Sequence, residues 1–431
     1  MPDDQREAPE QRRILTVLVL SQLLSGAGLS AGITVGALLA EDMLGSTSLA
    51  GVPSALFTVG SALAAITVGR VSQRFGRRPG LALGYGVGAV GALGVVVAAA
   101  ASSAPLLFAA LFVYGAGTAT NLQARYAGAD LAAPARRGRA VSTVLVATTV
   151  GGVVGPNLAG PTGRLADTVG IPTLAGPFLL AALTYAAAAA VLGLWLRPDP
   201  LRLAHLRAAA PAPDGTASDL PALAAASRAR TGDLPLGTTV LVLSQLVMVA
   251  IMTMTPVHMR AHGHSTAATG LVIGIHIGAM YLPSPLTGWL VDRLGTRPVA
   301  ALSALTLLVT GLIAAVAPAH SVPALTIALA LLGLGWNLGL VAGTAIVTDA
   351  VPLATRARTQ GSVDVGIAVA GAAGGMGSGL LVAHGSYALM ALTGGALAVA
   401  VLPALALTAR AHRAAVRRDA SALPVRVPAR R

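Results

Sequence analysis

The informative pattern along this chain is where charge is missing. A helix crossing a bilayer needs about 20 apolar residues, and an ionised side chain at its centre costs roughly 3 kcal/mol. Nine stretches longer than 20 residues lack Asp, Glu, Lys and Arg: 14–40, 43–69, 79–124, 140–163, 168–196, 234–259, 261–291, 298–348 and 365–409. Three are too long for one crossing, and each carries a break: Ala101 to Pro105, Pro318 to Pro323, and His384 to Ser386. Six single and three double stretches predict an all-α membrane protein of twelve transmembrane spans. The chain then divides into a polar tail (1–13), a six-helix bundle (14–196), a linker rich in Ala, Pro, Arg and Asp (197–235), a second six-helix bundle (236–409) and a basic tail (410–431). A surface helix is expected in the linker around Leu220 to Arg228. No small-residue cleavage site follows the first apolar run, so the N-terminus reads as a retained tail and not as a signal peptide.

Composition narrows the class. Hydrophobic residues make up 55%, charged residues only 10%, and mean hydropathy is +0.76; a soluble domain is about one quarter charged. The absence of Cys removes disulfides, thiolate metal sites and Cys nucleophiles. All 29 basic residues are Arg. A P-loop requires Gly-Lys-Ser/Thr, so ATP-driven pumping through such a loop is excluded. No enzymatic chemistry, cofactor or resident metal is expected. A net charge of +13 beside 3% aromatic residues does not fit a nucleic-acid partner. It fits topology instead. With the N-terminus in the cytoplasm, Arg70, Arg74, Arg77, Arg78, Arg136, Arg137, Arg139, Arg293, Arg297, Arg356, Arg358, the linker and the tail all fall inside. Only Arg164 and Arg260 fall outside. This positive-inside bias predicts a multi-pass protein of the cell membrane, both termini cytoplasmic, monomeric, and attracted to anionic lipids.

The chain also repeats itself. Thr16-Val-Leu-Val-Leu-Ser-Gln-Leu-Leu24 matches residues 239–247 at eight of nine positions. Gly69, Arg74, Gly76 and Arg78 recur as Gly288, Arg293, Gly295 and Arg297, each 219 residues later. Asp130, Arg137 and Arg139 recur as Asp349, Arg356 and Arg358 at the same offset of 219. Two six-helix halves in parallel repeat place a binding site at their interface, near mid-bilayer.

Gly69-Arg-Val-Ser-Gln-Arg-Phe-Gly-Arg-Arg78 resembles the loop between helices 2 and 3 of the major facilitator superfamily. Gly288-Trp-Leu-Val-Asp-Arg-Leu-Gly-Thr-Arg297 resembles its echo between helices 8 and 9. The resemblance spans residues 14–409 and implies two bundles about a pseudo-twofold axis that transport by alternating access. It also implies that the acidic residue of this loop caps a helix of the opposite half and helps shut the cytoplasmic side. A carboxylate at a helix N-terminus gains roughly 0.3–1 kcal/mol. Here the second copy keeps it as Asp292, whereas the first has Gln73, which predicts a weaker latch on one side. In span 5, Gly151 to Gly160, with Gly155 and Pro156, partly matches the Gly-Pro motif associated with antiporters; an ordinary small-residue packing face is the alternative. Gating is therefore expected of Gly69, Gln73, Arg74, Arg78, Asp130, Gly155, Pro156, Asp292, Arg293 and Asp349. Asp130 and Asp349 are expected to pair with Arg of the inner loops.

Two patterns are dismissed or left open. Gly86-Val-Gly-Ala-Val-Gly91 spells a dinucleotide fingerprint, but it lacks a preceding strand and a following acid, so it reads as close helix packing. His258, His262 and His264 cluster at the outer end of span 7. They read as a wet loop, with pH sensing or metal binding as the alternative.

The resemblance further implies that spans 1, 4, 7 and 10 line the cavity. Polar groups inside spans are costly and face protein or water. Spans 1 and 4 offer Gln22, Ser25 and Asn121; spans 7 and 10 offer Gln245, Met252, Trp336 and Asn337. These are the candidate substrate contacts. Gln22 and Gln245 are repeat-equivalent, and either grips a substrate from both sides or makes helix–helix hydrogen bonds. Asp364, about six residues into span 11, is the one carboxylate clearly inside a span. It is a proton-coupling candidate, with a salt bridge to a neighbouring Arg as the alternative. His276, near mid-bilayer in span 8, is the second candidate. Arg125 either snorkels, pairs with an acid or binds an anion. The reading is proton-coupled efflux of a small organic solute. Alternatives are metabolite uptake by symport or facilitated diffusion, and a transport-dead sensor or scaffold. Substrate identity is not legible.

Overall fold

The computed structural model describes residues 9–34, 39, 43, 51–209 and 233–409. Helices run in the order α1 (Pro9–Thr34), α2 (Gly51–Phe75), α3 (Arg77–Ala100), α4 (Ala104–Ala129), α5 (Arg137–Thr168), α6 (Gly176–Trp195), α7 (Pro200–Ala209), α8 (Leu234–Ala261), α9 (Thr266–Tyr281), α10 (Ser284–Leu294), α11 (Thr296–Val316), α12 (Val322–Ala350), α13 (Arg356–His384) and α14 (Tyr387–Val399). Residues 401–409 continue the direction of α14 as helix. Ten spans among the described residues are long and apolar enough to cross a membrane. In one of them α9 and α10 form a single crossing, broken at residues 282–283. The charge-free stretches 14–34 of α1 and 140–163 of α5 complete the twelve, and these two helices pack against each other inside the first bundle.

The sequence breaks coincide with helix ends. Ser321 and Ser386 sit just before α12 and α14, and their hydroxyls accept from the backbone N–H of Ala324 (3.3 Å) and Leu389 (3.1 Å). Each satisfies a donor that the helix itself cannot. Gly76 and Gly295, repeat mates, end α2 and α10 with φ of 98° and 93°, a backbone region that glycine enters without a Cβ clash. The expected linker helix around Leu220 to Arg228 lies outside the described residues. Among the described residues the linker contributes α7, which follows directly on the first bundle.

Pairings inside the two bundles repeat. In the first, α1 packs on α5, α3 on α4, α2 on α4 and α3 on α6; in the second, α8 on α13, α11 on α12, α9 on α12 and α11 on α14. Each bundle has its own buried apolar core. The first is built round rings: Tyr114 lies 5.4 Å from Phe178 and 5.7 Å from Tyr185, between centroids. The Gly86–Gly91 stretch does serve close packing, since a Cβ on Gly91 would lie 2.3 Å from the Tyr114 backbone N of α4. The bundles meet along two seams, α2 with α13 and α5 with α10.

Candidate functional site

The seams are repeat images of each other. A Cβ on Gly69 would sit 2.8 Å from the Ala357 carbonyl oxygen, and one on Gly288 would sit 2.6 Å from the Gly138 carbonyl oxygen. Backbone approach this close requires glycine. Each seam is latched by the residue four positions further along its helix. Gln73 Oε1 accepts from Ala357 N at 2.8 Å, and its Nε2 donates to Leu353 O at 3.1 Å. Asp292 accepts from Gly138 N at 2.8 Å and Arg139 N at 3.2 Å. Both side chains thus cap the N-terminus of a helix in the opposite half, one with a neutral amide and one with a carboxylate.

Buried ion pairs lie behind the latches. Arg77 donates through Nε to Asp130 Oδ2 at 2.7 Å and through Nη2 to Gln360 Oε1 of the other half at 2.5 Å. Arg137 pairs with Asp349 across the halves nearer the surface, where the Asp349 side chain is 36% exposed. Deepest is Arg125, which is 0% exposed. Its Nε donates to Thr344 Oγ1 at 2.9 Å and its Nη2 to Asp364 Oδ1 at 2.8 Å. It also donates to the Leu122 carbonyl and to Tyr126 OH, and Tyr126 in turn donates to Asp364 Oδ1 at 3.3 Å. Both bonds to Asp364 fall on Oδ1. Asp364 Oδ2 is buried and has no hydrogen-bond partner among the described residues. Removing one member of such a pair costs about 3–5 kcal/mol, because the other is left charged and buried.

The remaining candidates divide. Gln22, Ser25 and Asn121 are buried inside the first bundle and bonded together. Gln22 Oε1 accepts from Tyr85 OH at 2.6 Å, its Nε2 donates to Thr148 Oγ1 at 3.1 Å, and Asn121 Nδ2 donates to Ser25 Oγ at 3.0 Å. Asn337 ties the α9–α10 break. Its Nδ2 donates to Met280 O and Ser284 Oγ, both at 2.7 Å, and its Oδ1 accepts from Thr287 at 2.6 Å. Gln245 and Met252 are only half buried. Gln245 Oε1 accepts from Trp336 Nε1 at 2.8 Å, and Tyr281 meets the Trp336 ring edge-on at 5.6 Å. His276 is buried with Nδ1 2.8 Å from Leu329 O, and its Nε2 has no partner among the described residues.

Other gating candidates sit at the edges. Arg78 donates its backbone N–H to Asp199 at the start of the linker and its Nε to the Gly193 carbonyl of its own half. Arg74 is exposed over Phe75, and Arg293 lies over Trp289. Gly155 is buried in α5, which runs unbroken through position 156. One turn earlier, Gly151 lies against α1, where a Cβ would be 2.6 Å from Ala27 N. His258 stacks on Tyr387 and is 4.3 Å from His262 between centroids. Among the described residues no group of three His, Cys, Asp or Glu is placed to hold a metal ion.

Sequence reasoning passed over Arg77, Gln360, Tyr126 and Thr344. One signal was present: Arg125 and Thr344 are 219 residues apart, so they are repeat mates, and mates that touch lie on the pseudo-twofold axis.

Two repeated helical bundles, clamped together at one end by buried ion pairs and glycine seams, define a membrane carrier that works by moving its halves. The chain belongs to the major facilitator superfamily, whose family model matches residues 18–284 and 239–429. It is 55% identical over 392 residues to the uncharacterized MFS-type transporter YdeG of Bacillus subtilis, covering 91% of each chain. It is 33% identical over 360 residues to the riboflavin transporter RfnT of Brucella anthropi, covering 83% of this chain and 86% of that protein. The crystal structure of the human organic anion transporter MFSD10 superposes with a TM-score of 0.73 at 18% identity, over 93% of this chain and 100% of that one, a likeness of fold. The protein is a membrane-spanning transporter of a small solute and not an enzyme.

Proposed function

We propose that this transporter exports a small organic solute in exchange for protons, and that Asp364 is where the proton acts. The observation that carries this is the Arg125–Asp364 pair, which joins the halves at the closed end while leaving one carboxylate oxygen unbonded. A proton on Oδ2 cancels the charge that holds Arg125. The loss of about 3–5 kcal/mol is comparable with the roughly 5.5 kcal/mol that moves a two-state equilibrium from 1:99 to 99:1. The arginine-rich end faces the cytoplasm by the positive-inside rule. A proton arriving from outside then opens the inner end. There the proton leaves, the solute loads, and the re-formed pair closes the seam behind it. Gln245, Trp336 and Met252 offer the solute an amide, a ring and a thioether on the second bundle. Gln22, Ser25 and Asn121 hold α1 and α4 in register. His276 is a reserve proton site.

A thermal-shift screen selects the cargo, since a ligand that binds only the folded state raises its apparent stability. In proteoliposomes an imposed proton gradient is expected to accelerate wild-type flux, and Asp364→Asn to remove that acceleration. Flux that remains fully proton-driven in both Asp364→Asn and His276→Ala refutes the mechanism.

A second reading, uptake of a flat heteroaromatic solute, is favoured by the similarity to the riboflavin transporter RfnT and by the Trp336–Tyr281 rings beside Gln245. Accumulation of cargo in right-side-out but not inverted vesicles would establish it over export.

A further inference from the structure

Above the Gln73 latch lies an open basin of about 450 Å³ lined by Arg70, Gln73, Arg74 and Arg358. Three guanidinium groups from two halves converge there. None of the three has a carboxylate partner among the described residues. The repeat supplies an internal control. At the other seam Gln73 is replaced by Asp292, Arg70 by Trp289, and Arg358 by Arg139, whose Nε lies 3.7 Å from Asp292 Oδ2. One carboxylate fewer and one arginine more give the Gln73 basin a formal charge two units more positive than its image. Like charges this close repel unless water or a counter-ion screens them.

We infer that this basin binds the phosphate of an anionic phospholipid headgroup, which supplies the negative charge that Gln73 lacks. Arginine suits the role because its planar fork matches phosphate oxygens two at a time. A lipid fits better than free phosphate because the flanking helices also present exposed apolar side chains, Leu63 and Phe75 on α2 and Val369 on α13, against which acyl chains lie. A headgroup shared by Arg70 and Arg74 of one half and Arg358 of the other holds both halves at the closed seam, which makes the lipid a component of the latch. The inference stands apart from the proton-coupling reading, because it concerns charge at the surface and not Asp364.

Native mass spectrometry of the full chain, titrated with phosphatidylglycerol, tests it. Wild type is expected to retain one more phosphatidylglycerol than the variant combining Arg70→Gln, Arg74→Gln and Arg358→Gln, with at least tenfold tighter retention of that lipid. Gln73→Asp restores the chemistry that Asp292 already tolerates, so it folds, and it is expected to weaken retention several-fold. Arg293→Gln, at the image seam, should leave retention unchanged. Equal retention in wild type and both Gln73-side variants overturns the inference, and so does an equal loss with Arg293→Gln. Stabilisation by inorganic phosphate with no phosphatidylglycerol retained overturns the assignment to lipid.

Discussion

Gln22 and Gln245 occupy the same place in two copies of one sequence, and the two bundles have put them to different uses. Gln22 is 0% exposed and knitted to Tyr85, Thr148, Ser25 and the Asn121 carbonyl. Gln245 is half buried and has one side-chain hydrogen-bond partner among the described residues, the Trp336 indole. The cause lies in the partners. The repeat mates of Tyr85, Asn121 and Thr148 are Ala304, Leu340 and Ile367, all buried and apolar. With no polar group at these three positions of the second bundle, Gln245 turns to Trp336, whose own mate is Gly117. A repeat-equivalent pair of amides is thus a structural knot in one half and a singly bonded, half-buried group in the other. In the first half the polar bonds rigidify a core; in the second, on the proposed reading, the single bond to Trp336 is the one a solute exchanges with.

Removing each amide in turn should separate these roles, and this is the largest effect expected. Gln22→Ala removes the acceptor of the 2.6 Å bond from the Tyr85 hydroxyl and the donor to Thr148 Oγ1 inside a buried core, at about 1–3 kcal/mol per group left unsatisfied. The thermal midpoint of the purified protein should fall by several degrees. Gln245→Ala should leave that midpoint nearly unchanged while weakening solute binding at least tenfold. Equal destabilisation by the two variants would erase the distinction.

Much of the fold was legible because it rests on charge placement. Gaps between ionisable residues located the spans, and the three breaks at Ala101–Pro105, Pro318–Pro323 and His384–Ser386 coincide with helix ends. The site was less legible. Helices that are apolar on every face give no periodic signal of which face meets the solute path, so Gln22 and Gln245 looked alike. Arg125 sits late in its span, where snorkelling is the ordinary expectation. What keeps it inside is Asp364, 239 residues away and on the other bundle. In the Arg77-Arg78 pair, adjacent and identical side chains part company: one turns in to Asp130 and Gln360, the other goes to the Gly193 carbonyl. Only the helix start at Arg77 decides between them.

A gentler probe of the same contrast is Trp336→Phe. It keeps a ring against Tyr281 and removes the N–H that engages Gln245. A neutral hydrogen bond is worth about 1 kcal/mol net. If Gln245 serves the solute, freeing it from Trp336 should change cargo affinity by up to about fivefold, with little change in thermal midpoint. A matched substitution in the first bundle, Tyr85→Phe, should do the reverse, lowering the midpoint and leaving affinity alone. Affinity that follows Tyr85 instead would move the solute contacts to the first bundle.

The latches offer the finest form of the comparison, because geometry is held constant and only charge differs. Gln73 and Asp292 each cap a helix of the opposite half at 2.8 Å. The carboxylate adds an interaction with the helix dipole of about 0.3–1 kcal/mol, which converts to roughly a two- to fivefold shift between closed and open states. The chain contains no Cys, so a single introduced thiol reports without background. Ser142 is buried at the α5–α10 seam facing Gly288, and Ser142→Cys is nearly isosteric. Its alkylation rate measures how often the arginine-rich end opens. The halves separate as bodies, so one reporter reads both latches. Asp292→Asn should raise the rate about two- to fivefold, and Gln73→Asp should lower it by a similar factor. High salt should reduce both effects only modestly, because the Asp292 side chain is 5% exposed and ions screen such shielded charges weakly. Opposite signs from the two exchanges would show that one carboxylate, and not the difference in their surroundings, separates the strong latch from the weak one. If Gln73→Asp instead speeds labelling, the headgroup it displaces was holding the seam more tightly than a carboxylate does.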